Sequence, residues 1–134
     1  MGLVTFLVVL VTLVLLLFLL SMIWPPDSPW SPWWRTNQKR SRLICKMARV
    51  GKNDVVYDLG SGDGMLLLTA AKEFGAMAKG VEIDLLRVWY SKLVALLTGQ
   101  GGRVKILRKN FFDVDVRDAS VVFMYLVPKA LAKL

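Results

Sequence analysis

Histidine is missing from this sequence, and cysteine occurs once, at Cys45. No disulfide can form within the chain, no Cys/His zinc site can be assembled, and histidine-based catalysis is excluded. Cys45 reads as a small buried or half-buried residue on a helix. Charge is missing too, from Gly2 to Pro26. The apolar run Leu3 to Ile23 would make a helix about 31 Å long, enough to cross a bilayer. A cleaved secretory signal fits poorly: the run is too long, no Lys or Arg precedes it, and no small-x-small cleavage pattern follows it. A buried core helix fits less well still, because no polar face interrupts the run. Residues 1–24 are therefore expected to be a transmembrane anchor.

Acidic residues are absent from Arg35 to Lys52, where seven of the eighteen Lys and Arg fall in a chain of net charge +8. Basic residues just past a span, with none before it, predict a single-pass protein whose C-terminal domain is cytoplasmic. The cluster suits anionic lipid headgroups. Nucleic acid is the disfavoured alternative, since the cluster is single and lacks a recognised binding module. Trp24, Trp30, Trp33 and Trp34 suit either an aromatic belt at the membrane surface or a cover for the domain's own apolar surface. Residues 25–35 read as a Pro/Trp-rich linker, and 36–134 as one domain.

Within that domain Thr36 is expected to cap a helix reaching Val50, with Leu43, Ile44, Met47 and Val50 on one face and Gly51 as its stop. The period then changes. Asp54–Leu59, Ala78–Ile83, Arg103–Leu107 and Val121–Val127 read as strands; Leu66–Phe74 and Leu85–Leu97 read as helices, and Phe111–Asp118 as a loop. Pro128 would open a further helix. Alternating strands and helices imply an α/β fold, a doubly wound parallel sheet. Four strands are few for such a sheet, and Val121–Val127 is apolar enough to want two neighbours, so a sheet truncated after its fourth strand, or completed by a partner, is expected.

The chemistry concentrates in Val56-Tyr-Asp-Leu-Gly-Ser-Gly-Asp-Gly-Met65. Glycine-rich loops after the first strand floor the ligand site of doubly wound folds. This pattern is G-x-G-x-G, whereas the dinucleotide fingerprint would need glycine where Met65 stands. Asp58 adds an anionic group that suits an ammonium-bearing ligand and repels pyrophosphate. Glu82, at the end of the second strand, can accept two hydrogen bonds from a ribose diol. Asp84 is placed to cap the following helix. No residues suggest a metal site.

"VVYDLGSGDG", "GVEID" and "NFFDVDVRDASVVFMYL" resemble motifs of class I (Rossmann-like) S-adenosylmethionine-dependent methyltransferases. The run is most similar to the small archaeal and mitochondrial ATP synthase c-subunit type protein lysine methyltransferases. The resemblance covers roughly residues 33–134 and implies S-adenosyl-L-methionine as cofactor. It implies that Asp58 holds the methionine end, that Gly60, Ser61, Gly62 and Gly64 line the cofactor's path, and that Glu82 binds the ribose hydroxyls. Ile83 would pack on the adenine, Asn110 would accept from its amino group, and Phe111 would stack on it or belong to the core. Met65 replaces an arginine common in these enzymes, and "PWWRT" matches their aromatic-proline-threonine segment only loosely.

Met124-Tyr-Leu-Val-Pro128 lacks the Asp/Asn-Pro-Pro-aromatic motif of base methyltransferases. Tyr125, the polar side chain at that strand end, is the candidate for positioning an acceptor, with a core tyrosine as its alternative. The resemblance thus implies a membrane-anchored methyltransferase acting on a protein lysine amine, whose anchor raises the local concentration of membrane substrates. The alternatives are a noncatalytic membrane-tethered binding remnant, a methyltransferase acting on a small molecule or RNA, and a nucleotide-dependent oxidoreductase, against which Met65 argues.

Overall fold

The computed structural model describes residues 2–23 and 35–126, together with Pro128 and Ala132. Trp24, linker residues 25–34 with their three tryptophans, and the end of the last expected strand at Val127 lie outside them. The elements run α1 (Leu3–Ile23), α2 (Gln38–Met47), β1 (Val55–Leu59), α3 (Met65–Phe74), β2 (Met77–Glu82), α4 (Leu85–Leu97), β3 (Val104–Arg108) and β4 (Val121–Met124). A 3₁₀ turn at Phe111–Asp113 interrupts the expected loop. Pro128 is helical, and its carbonyl accepts the Ala132 N–H at 3.1 Å.

Helix α1 is apolar throughout, and its window Leu3–Leu20 has a mean hydropathy of 3.3, long and apolar enough to cross a membrane by length and composition. Helix α2 begins one residue later than expected. Asn37, not Thr36, is the cap, its Oδ1 accepting the Arg40 N–H at 2.9 Å. The helix also ends at Met47, short of Val50. The Val50 N–H reaches back to the Cys45 carbonyl (2.9 Å), and Arg49 takes the left-handed conformation at φ 53°. Half of the expected face holds: Val50 is buried and Ile44 packs against the core, but Leu43 and Met47 are exposed, and Ser41 and Cys45 are buried in their place. Small side chains let α2 lie close on α3, and that proximity outweighs the hydropathy of Leu43 and Met47.

The four strands are all parallel, in the order β3-β2-β1-β4. The chain steps outward from β1 to β2 to β3, then returns across the sheet to the other side of β1. Strand order therefore reverses at β1, whose C-terminal end is the switch point where such sheets bind ligands. Helices α3 and α4 share one face, where Leu66, Leu67, Ala70, Ala71, Val88 and Ala95 pack on Val56, Ala78, Val104 and Ile106. On the opposite face Tyr57, Leu59 and Val81 lie under Phe111, Val114, Val116 and Ala119 of the segment leading to β4. A second helical layer is not seen among the described residues. Lys79, bonded to Asp118 and to the Tyr57 hydroxyl, ties that segment to the sheet. Strand β4 pairs only with β1 among the described residues, leaving Val122 exposed on the open edge.

Candidate active site at the carboxyl end of the sheet

Strand β1 delivers Asp58 and then the loop Gly60–Gly64; strand β2, one position over, delivers Glu82. Register fixes this juxtaposition, because Asp58 pairs with Gly80 and Leu59 with Val81. The Gly60 and Ser61 N–H groups both donate to the Val81 carbonyl, at 2.8 and 3.0 Å, bending the chain back over β2. Gly60, Gly62 and Gly64 all have positive φ. At Gly64 (φ 77°), where α3 starts, a Cβ would also come within 3.2 Å of Ser91, so conformation and space both call for glycine.

Glu82 holds the loop in place. Its Oε2 accepts the Gly62 N–H at 2.8 Å, and its Oε1 accepts those of Ile83 and Asp84, both at 2.9 Å. A carboxylate has about four acceptor positions, so one remains for a ligand hydroxyl. Asp84 caps α4 as expected, accepting the Arg87 N–H at 2.8 Å.

Asp58 is buried beside this arrangement. Burial pushes its pKa up to about 8, and the charges of Glu82 and Asp63 push the same way. Three acidic side chains buried close together make an environment that favours a cation and disfavours a pyrophosphate. The Ser61 Oγ is buried without a hydrogen-bond partner among the described residues, a polar atom left for a ligand to satisfy.

The remaining expected residues are more scattered. Ile83 is half exposed just past the end of β2, not within the strand. The Asn110 side-chain oxygen caps the 3₁₀ turn by accepting the Phe112 N–H at 3.2 Å. Phe111 is half-buried against the Tyr57, Leu59 and Val81 cluster and against Phe112, with ring centroids 4.5 Å apart. Tyr125 is 62% exposed immediately after β4.

Four residues join the site that spacing did not single out. Ser91, buried on α4, donates to the Gly62 carbonyl at 3.1 Å. Asp63 accepts the Met65 N–H and the Arg35 guanidinium (3.2 and 2.5 Å), so Arg35, the last residue of the expected linker, reaches the glycine loop. Gly80 leaves no room for a Cβ, which would fall 2.4 Å from Leu67 Cδ1 and 2.6 Å from Ser61 Oγ. The "G" of "KGVEID" carried a signal for Gly80. Arg35 and Ser91 had none, because only the tertiary fold brings them near.

The ANTKMT methyltransferase domain matches residues 58–134 of the chain. A protein-lysine N-methyltransferase of Saccharolobus islandicus is 42% identical over 93 residues, covering 69% of this chain and 58% of the relative. A lysine N-methyltransferase of Homo sapiens that acts on the ATP synthase c-subunit is 33% identical over 96 residues, 72% of this chain and 40% of the relative. The crystal structure of an RNA methyltransferase from Salinibacter ruber in complex with S-adenosyl-L-homocysteine superposes with a TM-score of 0.73. It is 35% identical to this chain and covers 75% of it and 66% of its own length. The chain spans about half the length of the curated relatives it matches.

Proposed function

The chain belongs to the ANTKMT methyltransferase family, and from that premise we propose that it binds S-adenosyl-L-methionine at the carboxyl end of its sheet and methylates a protein lysine amine from a membrane anchor. The observation that carries this reading is the shared grip of Glu82 on Gly62 and on its own strand end, beside the buried Asp58.

When bound, the cofactor supplies a methyl group already activated on a sulfonium. Asp58 receives its ammonium end, and the loop from Gly60 to Gly64 lets its chain lie against bare backbone. Glu82 uses its remaining acceptor position for one ribose hydroxyl, and Ile83 offers an apolar edge to the adenine. Phe111 and Asn110 border the same ring. For Asn110 this role requires the amide oxygen to share its capping bond or give it up. The buried Ser61 hydroxyl supplies one more partner.

Little acid–base machinery is required, because the acceptor need only be neutral and aligned. An acceptor lysine loses its proton more readily when desolvated. The exposed Tyr125, at the end of β4, is placed to orient that amine. Helix α1 spans the bilayer, and the basic run from Arg35 to Lys52 faces the anionic cytoplasmic leaflet, so protein substrates near the bilayer are favoured.

An RNA acceptor is the second reading, supported by the Salinibacter relative and the net charge of +8. The full chain in lipid nanodiscs, incubated with methyl-labelled S-adenosylmethionine plus either membrane proteins or total RNA, separates the two. Label recovered as methyl-lysine after protein hydrolysis supports the proposal; label confined to RNA overturns the acceptor, and no transfer overturns the activity.

A further inference from the structure

Helix α4 buries Arg87, Val88, Ser91 and Ala95 against the sheet, yet its outer face is not polar. Leu85, Leu86, Trp89, Leu93, Leu96 and Leu97 are all exposed there, with Trp89, Leu96 and Leu97 at 69%, 68% and 75%. At about 100° per residue they fill an arc of roughly 120° opposite the buried face, flanked by Lys92 on one side and Tyr90 on the other. Soluble surfaces seldom carry a contiguous apolar patch of this kind without a use for it.

The contact with α1 says what covers it. Phe18 is the one residue of α1 shielded from solvent among residues 2–20, and its ring packs on Tyr90 at a centroid separation of 5.7 Å. Phe18 lies five residues before the end of α1 at Ile23, so with α1 in a bilayer the contact sits about 7.5 Å below the helix end. Interfacial amphipathic helices bury their apolar faces to about 5–10 Å. The two depths agree.

We propose that α4 lies in the membrane interface, its Trp89–Leu93–Leu97 face turned into the lipid, and that the domain rests on the bilayer along this helix as well as hanging from its anchor. This rests on the reading of α1 as a span. Trp89 suits the boundary between headgroups and acyl chains, and the Lys92 ammonium can reach the headgroups from the edge of the stripe. Because α4 starts directly after Glu82, Ile83 and Asp84, the mouth of the proposed cofactor site then opens beside the lipid surface. Substrates would arrive laterally, in the plane of the membrane.

Single cysteines at Leu93, at Arg117 on the opposite sheet face, and at Leu10 in α1 provide the test. Cys45 is buried and its thiol is pushed up to about 11, so an added surface cysteine is labelled selectively. The full chain, carrying an environment-sensitive fluorophore, is reconstituted in vesicles of three parts phosphatidylcholine to one part phosphatidylglycerol. It is then challenged with lipid nitroxides and with aqueous iodide. The expected result is Leu93→Cys quenched by nitroxides near the headgroup and shielded from iodide, Arg117→Cys the reverse, and Leu10→Cys quenched by mid-chain nitroxides. A Leu93→Cys label open to iodide, or shielded from both quenchers because α1 or a second copy covers the stripe, overturns the inference. If Leu10→Cys still responds to lipid in that case, only the placement of α4 fails; if it does not, the span reading fails too.

Discussion

The Glu82 carboxylate accepts the Gly62 N–H at 2.8 Å, joining the end of β2 to the middle of the glycine loop. The loop is therefore held in shape before any ligand arrives, and the same side chain is available to read a sugar. Glu82→Gln keeps the size but turns an amide N–H₂ toward backbone donors. The substitution is expected to cost about 1–3 kcal/mol of stability. It should also weaken S-adenosylmethionine binding by about tenfold to a hundredfold, the worth of one hydrogen bond to a charged group. Thermal melts and binding titrations on the same preparation check both.

Gly80→Ala tests the packing beneath the loop. The added Cβ has neither Leu67 nor Ser61 at an acceptable distance, so overpacking should cost about 1–3 kcal/mol. The melting temperature of a domain this size should fall by about 4–8 °C per kcal/mol. A variant melting with the parent would show that the Leu67 and Ser61 side chains yield freely.

Asp58 gives the empty protein a pH dependence of known sign. Its pKa rises on folding from 3.8 to about 8, chiefly through burial. The folded state then holds a proton that the unfolded state releases. Its contribution is fully present below about pH 4 and is lost as pH rises through 8, with a slope of at most about 1.4 kcal/mol per pH unit. Denaturant titrations from pH 5 to 9 should show this decline, and Asp58→Asn should flatten it. Binding of a cationic ligand runs the other way: affinity should rise toward pH 8, with proton release visible as a buffer-dependent binding heat. The Asp58→Asn variant should lose this rise, its deficit against the parent being largest near pH 8 and shrinking as pH falls.

Cys45 reports on the α2–α3 contact. A buried thiol with its pKa pushed up to about 11 should react with iodoacetamide at pH 8 at least about a hundredfold more slowly than a free thiol. Denaturant should abolish the protection. Rapid alkylation of the native protein would mean that α2 leaves α3 readily.

The sheet, and the placing of the glycine loop and Glu82 at its carboxyl end, were legible in the sequence because short-range rules fix them. The G-x-G-x-G run after an apolar strand, the acidic residue at the next strand end and the Asp84 cap need only local spacing. What stayed hidden depends on which faces meet. Leu43 and Met47 look like core by hydropathy, but the small Ser41 and Cys45 let α2 settle closely on α3. Arg35 and Ser91 reach the loop across 28 and 29 residues. Strand β4 stops at Met124 and Tyr125 turns outward, a boundary that the unbroken apolar run to Val127 did not mark.

The most direct test is a calorimetric titration of the full chain in nanodiscs with S-adenosylmethionine and, separately, with NAD, repeated on Glu82→Gln. Saturable heat at one site per chain is expected with S-adenosylmethionine, none with NAD, and a titration weakened by about tenfold or more in the variant. Heat with NAD alone, or S-adenosylmethionine binding indifferent to the Glu82 substitution, would contradict the proposed cofactor site.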